Sequence, residues 1–429
     1  MSLKEKTEVL VVGAGPVGLL TAILLAESGI EVEIIDTEPR TAARSYACAL
    51  HPRTLKLLDR LGLAGSAIEL GRRVAVAGFY DGPSRMAEVN LAKLGGPFPY
   101  LLILPQNAFE GLLESKLRQA GVQVHWNHRL DGFQGKEPVV AEVEELAGTM
   151  TGYVVPHWET VVKKNRLVHA EMVVGADGHH SKVRHRLGIQ MERTGTTSFF
   201  AAYEFESEGR EEIPDEVRVA LNDSTTNVLW PLMGNRCRWT FQMLKSLALS
   251  EFPEKERRAV RVGQKVVDEQ IRQYVERVAG VRAPWFKAGV KEITWCTEVV
   301  FTPQFARSFG QGRCWLVGDA AHQTGPVGVQ SMNVGLLEAE ALSGLLRGVL
   351  RKDAPLESLH AYEQHRVDEW TQLLGLSRAF NPGNQASPWV KEHWPRILPC
   401  LPGSGEDLAH LAAQLGVEAT PATDPALAR

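Results

Sequence analysis

Long apolar runs, paired cysteines, a basic surplus and internal repeats are all missing from this chain, and each absence removes a class of function. No uninterrupted apolar stretch reaches the roughly eighteen residues that a bilayer-spanning helix needs. Residues 1–8 are too polar for a secretory leader, so a cytoplasmic protein without a membrane span is expected. The five cysteines, Cys48, Cys237, Cys296, Cys314 and Cys400, stand far apart with no Cys-x-x-Cys among them. Neither a zinc knuckle nor a local redox disulfide is therefore encoded. A formal net charge of -4 leaves no basic stripe of the kind that neutralises nucleic-acid phosphates. The composition that remains is that of a soluble globular protein, and 429 residues exceed what one core holds, which predicts two domains.

Near the beginning, residues 9–12 form a short apolar run, followed by Gly13-Ala14-Gly15-Pro16-Val17-Gly18 and an apolar segment closed by Gly29. A second apolar run ends in Asp36. This is strand, turn, helix, strand and acid in the order that dinucleotide binding requires. Gly13 permits the tight turn, Gly15 lets the backbone approach a pyrophosphate, Gly18 lets helix and strand pack closely, and Asp36 accepts from a ribose hydroxyl.

Further along, residues 37–49 read as a polar loop with Arg40 and Arg44, and residues 55–61 as a helix. Residues 101–104 form a strand that leads through Gln106 into an amphipathic helix closed by Gly121. Short strands with Gly and Pro turns are expected between 133 and 166. A strand over 167–174 then ends in Gly175-Ala176-Asp177-Gly178. From 189 to 295 the pattern changes to strands over 199–205, 217–221, 227–232, 236–244 and 291–300, with one charged helix over 254–278. That reads as an antiparallel sheet inserted in the nucleotide domain, the second wall of a cleft. The expected class is α/β with α+β elements. The nucleotide domain takes 1–73, 100–188 and 296–380, and the inserted sheet takes 74–99 and 189–295. Residues 381–429 are expected to be irregular, fraying from 416.

The second anchor is the stretch from Cys314 onward. Residues 314–317 suit a buried strand, Gly318-Asp319 ends it, and a helix is expected from Asn333. Asp319 then lies at a strand's carboxyl end, where open α/β sheets place ligands. The helix start offers unpaired N–H groups to an anion.

The glycine turn with Asp36, then Gly175-Ala176-Asp177-Gly178-His179-His180-Ser181-Lys182-Val183-Arg184, then Gly318-Asp319-Ala320-Ala321-His322 with its Pro326 loop together resemble the single-component FAD-dependent aromatic hydroxylases, the 4-hydroxybenzoate hydroxylase family. The resemblance covers the whole nucleotide domain, which is then Rossmann-like. It implies FAD, with NADPH or NADH as a transient co-substrate and O2 as oxidant. An electron-rich or phenolic ring would be hydroxylated through a flavin C4a-hydroperoxide. By the same resemblance Asp36, Arg44, Gln106 and Asp177 hold FAD, Asp319 meets the ribityl or pyrophosphate region, and Gly328, Met332 and Asn333 line the pyrimidine edge. Pro326 places a carbonyl beside the reacting ring and also borders the substrate. His180 and Arg184 face the nicotinamide cofactor, and Arg238 supports the flavin.

Two departures bear on the substrate. Val329 and Ser331 stand where relatives often carry glycine. The arginine that clamps the carboxylate of 4-hydroxybenzoate falls on Leu232, beside Trp230, so a larger or less acidic ring is expected against Trp230 and Leu232. Trp239, Phe241, Phe199 and Tyr203 are further aromatic residues on strands of this wall, with plain core as their other use. Plainer uses also exist for the polar residues: Asp319 as a helix cap, Arg184 as a solvated charge, His322 as a structural group. His179 and His180 have no acid or thiol at ligand spacing, so no metal is expected. Two other function classes share the FAD turn: a reductase of isoprenoid-like unsaturated chains, and a non-catalytic FAD-holding protein that binds a partner. A monomer or homodimer is expected, with no nucleic-acid partner.

Overall fold

Four parallel strands frame the nucleotide-binding half in the computed structural model, which describes residues 2–41, 47–135, 137–151, 157–209, 213–244, 269–377 and 379–420. Cys314–Leu316, His157–Gly175, Lys6–Val12 and Val32–Ile35 lie side by side in that order, with Val124–His125 beyond. Val9, Leu10, Val11, Ile34, Val173 and Val174 are fully buried, covered on both faces as parallel sheets require. Helix Pro16–Glu27 packs against Gln106–Gln119 and Gln330–Leu350. It is apolar all round because it is buried all round.

The second sheet has seven strands in the order Glu292–Phe301, Ser198–Glu206, Arg236–Met243, Thr225–Pro231, Val217–Asn222, Val76–Asp81 and Ser84–Asn90. Its pairings are antiparallel except that of Val217–Asn222 with Val76–Asp81. Alternation along the strands divides its side chains. Ala201, Tyr203, Phe205, Leu229, Trp239 and Phe241 form one apolar cluster with helix Glu269–Arg282, whereas Phe200, Val219, Val228, Trp230 and Leu232 join the core of the nucleotide-binding half. Trp239, Phe241 and Tyr203 therefore belong to the core behind the sheet, with Phe199 packed against them. The edge strand Glu292–Phe301 runs on through position 296.

Several elements differ from the sequence reading. Instead of short strands between 133 and 166, Val139–Thr151 pairs along its whole length with His157–Gly175 as one ribbon. Buried Val139, Ala141 and Val143 alternate with Glu142 and Glu144 at its start, while ion pairs such as Glu145 with Lys163 and Arg166 line it further on, where charged residues replace the apolar signal. The irregular segment expected after 381 contains helix Pro388–Ile397, a 3-10 turn at Leu398–Cys400 and helix Gly405–Gln414. Ser387 Oγ accepts from Val390 N at 3.2 Å and Pro388 opens the helix, so a proline taken for a breaker is an N-terminal signal. Val417–Ala419, expected to fray, pairs with Phe380–Pro382. Residues 254–268 of the expected charged helix lie outside the described residues, as do 421–429. No helix among the described residues is long and apolar enough to cross a membrane.

Candidate active site

Leu316 pairs with Gly175, Gly175 with Val12, and Val12 with Ile35. Four strand ends thus stand in one line, and the segments that leave them are Gly318-Asp319, Ala176-Asp177, the Gly13 to Gly18 turn, and Asp36. Gly13 has φ 103°, and a Cβ there would lie 2.3 Å from the Ala176 carbonyl oxygen; one at Gly18 would lie 1.9 Å from the Gly13 carbonyl oxygen. At Gly15 a Cβ would meet nothing within 4 Å. Two of the three glycines are thus required by packing, and the third faces open space. Asp36 Oδ2 accepts from Ala14 N at 2.5 Å and Oδ1 from Glu38 N at 2.8 Å. Burial raises its pKa, and these two N–H groups oppose the rise.

Gln106 opens helix Gln106–Gln119; its Oε1 accepts from Ala47 N at 3.0 Å and its Nε2 donates to Glu110 at 2.8 Å. Arg44 lies outside the described residues. Asp177 accepts from Ser181 Oγ at 2.5 Å and from the N–H groups of Lys182 and Val183, so its carboxylate closes the start of helix Lys182–Arg186. Arg184 donates to the carbonyls of Ala320 at 2.7 Å and His179 at 2.9 Å. It therefore joins the second motif to the third. His180 is exposed, its ring 3.9 Å from that of His179. Among the described residues no cluster of His, Cys, Asp or Glu could hold a metal ion.

The long helix begins at Gln330, three residues before the expected start, and Val329 precedes it at φ 51° and ψ 32°. Gly335 lets this helix approach the strand end: a Cβ there would lie 2.9 Å from both Gly318 Cα and Val17. Ser331 Oγ donates to Asp319 Oδ1 at 2.7 Å and lies 3.2 Å from His322 Nδ1. His322 is wholly buried; its Nε2 lies 2.8 Å from Glu338 Oε2 and its ring stacks on Trp370 at 3.8 Å. Glu338, also wholly buried, accepts from Gly318 N at 2.9 Å and Trp370 Nε1 at 2.8 Å. Burial pushes its pKa up, but His322, Arg366 and Trp370 together hold it below the ordinary value. Both ring nitrogens of His322 are thus engaged by neighbouring side chains.

The loop carrying Pro326 is tied down from two sides. His51 Nε2 donates to Gly328 O at 2.9 Å. Asn333 Oδ1 accepts from His51 N and Thr54 Oγ1, both at 2.8 Å, and its Nδ2 donates to Ala49 O and Val329 O. From the other side Gln330 Nε2 donates to the carbonyls of Leu398 and Leu401, and a Cβ at Gly328 would lie 2.2 Å from Pro399 O. Pro326 and Met332 are half-buried. His51, Glu338 and Gln330 were not singled out from sequence, and Ser331 was marked only as standing where relatives often carry glycine. Glu338 alone left a signal there, as an acid on the apolar face of a helix.

On the second sheet Trp230 and Leu232 are buried on the side of the nucleotide-binding half. Arg238 is 1% exposed and donates through Nε to Glu204 Oε1 at 2.9 Å and through Nη2 to the same oxygen. Its guanidinium also lies 5.3 Å from the Trp295 ring centre. Phe200 reaches the Pro326 loop, 3.8 Å from where a Gly325 Cβ would stand.

The model of the FAD binding domain family matches residues 6–377. Among curated relatives, a 6-methylpretetramide 4-monooxygenase of Streptomyces rimosus is 29% identical, over 86% of this chain and 61% of its own length. A flavin-dependent monooxygenase of Mycobacteroides abscessus is 28% identical over 90% of this chain and 77% of its own. The chain thus spans less than two thirds of the first of these. The crystal structure of p-nitrophenol 4-monooxygenase from Pseudomonas putida DLL-E4 has the same fold, with TM-score 0.73 and 21% identity over 96% of this chain and 95% of that one. Because the matched span runs from the first strand through the glycine turn and the Asp177 segment to beyond the Gly318 to Asn333 loop, the chain belongs to the FAD binding domain family.

Proposed function

We propose that the chain is a flavoprotein monooxygenase that uses NADH or NADPH and O2 to hydroxylate a phenolic or other electron-rich aromatic small molecule, working in the cytoplasm as a monomer or homodimer. One observation carries the reading: Leu316, Gly175, Val12 and Ile35 stand in register, so motifs three hundred residues apart open onto one site. The site suits FAD. Helices Pro16–Glu27 and Gln330–Leu350 both start without a side-chain cap or an acidic residue in the first turn, and such N-termini favour anions.

Within this reading Gly13, Gly15 and Gly18 bring backbone N–H groups to the pyrophosphate, and Asp36 receives the ribose. Arg44, Gln106, Asp177 and Asp319 complete the cofactor contacts. Gly328, Met332 and Asn333 set the loop against the pyrimidine edge, where the start of helix Gln330–Leu350 stabilises negative charge. His180 and Arg184 face the nicotinamide cofactor. Pro326, with Trp230 and Leu232 from the inserted sheet, borders the substrate ring, and Arg238 supports the flavin side of that wall. Bound FAD supplies hydride acceptance and oxygen activation; the protein positions the ring and excludes water. The names of the relatives, all monooxygenases, support this assignment.

The test adds candidate phenols to the purified yellow protein and follows NAD(P)H loss together with oxygen uptake. Accelerated oxidation with a product heavier by one oxygen is expected. Oxidation without oxygen uptake would assign the chain to the reductases instead, and no redox response would make it an FAD-holding binding protein. A well-folded but colourless protein that refuses FAD overturns the reading.

A further inference from the structure

The family match ends at residue 377, and the tryptophan- and proline-rich segment that follows touches both halves of the molecule. On one side it meets the inserted sheet. Helices Pro388–Ile397 and Gly405–Gln414 pack on strand Ser84–Asn90. Trp389 Nε1 donates to Asp81 Oδ2 at 3.3 Å. Gln414 accepts from Asn90 N at 2.8 Å and donates to Asn90 O at 3.1 Å. Arg396, in the last turn of the first helix, donates through Nη1 to Asp223 O at 2.9 Å and through Nη2 to Thr225 O. Those carbonyls belong to the turn from which strand Thr225–Pro231 starts. On the other side Leu398, Pro399 and Leu401 meet the Pro326 loop, through Gln330 and the backbone at Gly328.

Building on the function proposed above, in which this loop faces the flavin, we propose that residues 388–401 form a strap that sets the loop's position against the inserted sheet, with Arg396 as its positioning residue. One residue separates Arg396 from Leu398, whose carbonyl receives Gln330. The turn between sheet and loop has no slack. Ile397, Leu398, Cys400 and Leu401 are at most 4% exposed, and close-packed interiors pass on a displacement rather than absorb it. Cys400 Sγ donates to Arg396 O at 3.3 Å and Leu401 N to Leu398 O at 3.2 Å, which closes the turn on itself. The loop in turn has its backbone at Gly328 pressed against that of Pro399. An arginine suits the task because its planar fork reaches two carbonyls at once. Its partners Asp223, Thr225 and Cys400 are not among the residues assigned to the cofactor, so its effect on FAD has to pass through the strap.

The test is the rate at which FAD leaves the purified holoprotein on dilution, read as a gain of flavin fluorescence. Arg396→Met keeps the apolar stem and loses both hydrogen bonds, and it is expected to release FAD about tenfold faster than the wild type. Arg396→Lys, which still reaches a carbonyl, should fall between, whereas a side chain that only filled space would be replaced equally well by either. Gln330→Met frees the loop from the other end and is expected to release FAD faster too. Adding Arg396→Met to it should change the rate little, because the strap no longer grips the loop. Wild-type release from Gln330→Met overturns the inference whether or not the Arg396 variants fold. Wild-type release from Arg396→Met, equal release from the methionine and lysine variants, or additive effects of Arg396→Met and Gln330→Met overturn it as well. Each of these results leaves the hydroxylase reading intact if the yellow protein still couples NAD(P)H loss to oxygen uptake with candidate phenols, whereas a protein that takes up no FAD removes both.

Discussion

Asn333 holds Val329 in a left-handed conformation: its Nδ2 donates to the Val329 carbonyl at 2.8 Å, while Val329 sits at φ 51°. A β-branched residue pays for that conformation, by an amount of order 1–3 kcal/mol. The four hydrogen bonds of Asn333 offset it by fastening the loop to Ala49, His51 and Thr54. Asn333→Ala is therefore expected to cost about 3 kcal/mol in urea unfolding, since it strands buried partners, and to weaken FAD binding. Adding Val329→Gly should recover part of the loss, because glycine adopts the conformation freely. A double-mutant cycle with no coupling would disprove the link.

Ser331 lies in the first turn of the long helix, with its hydroxyl on Asp319 Oδ1. Removing it leaves the fold standing, because Asp319 is only half-buried and its carboxylate can turn to water. Ser331→Ala is expected to lose about 1 kcal/mol of stability or less while weakening FAD severalfold, as Asp319 loses its fixed orientation. Titration of the FAD-free protein with FAD, followed by flavin fluorescence, reads the difference. Unchanged affinity would mean that Ser331 does not orient Asp319 for the cofactor.

His51 supplies a pH dependence with a definite sign. Burial lowers its pKa from 6.5 to about 4, partly opposed by its hydrogen bond to Gly328 O, and Nδ1 is buried with no partner among the described residues. The unfolded chain therefore takes the proton first. The contribution of His51 is full above about pH 6.5 and is lost progressively as pH falls to about 4, on the order of 3 kcal/mol over that window. His51→Gln should flatten this part of the stability curve when unfolding is measured between about pH 7 and pH 4.5. A variant whose acid slope matches the wild type would show that His51 is not its source.

How much of this was readable beforehand depended on whether the signal was local. The glycine turn, Asp36, Asp177 and Asp319 each follow a short apolar run that suits a buried strand, so their places at strand ends were legible in sequence. The antiparallel second sheet was legible too, from the succession of short strands over 199–205, 217–221, 227–232, 236–244 and 291–300 in place of further strand-helix units. The Arg238–Glu204 pair was not, because strand register brings together residues 34 apart and no local pattern encodes it. The grip on the Pro326 loop was hidden for the same reason: Gln330 binds carbonyls 68 and 71 residues on, in a segment whose prolines masked its helices. The left-handed Val329 was foreshadowed only as a missing glycine.

Glu338 gives the last prediction. Three donors converge on its carboxylate, from Gly318 N, His322 and Trp370, so its partners span both the strand end and helix Leu359–Leu373, which carries Trp370. Glutamine at this position has one acceptor oxygen and brings an amide donor into a site already filled with donors. Glu338→Gln is therefore expected to cost about 2–4 kcal/mol, the range for a buried charged group that loses its match. Glu338→Asp keeps the charge but shortens the reach, and should fall between. Because the folded pKa of Glu338 lies below its ordinary value of 4.5, its contribution is present above that value and is lost as pH falls through the folded one. The Gln variant should therefore lose less stability on acidification than the wild type, measured as the shift in urea midpoint. Equal stability of Glu338→Gln and wild type at neutral pH would rule out Glu338 as the anchor of the Gly318 turn.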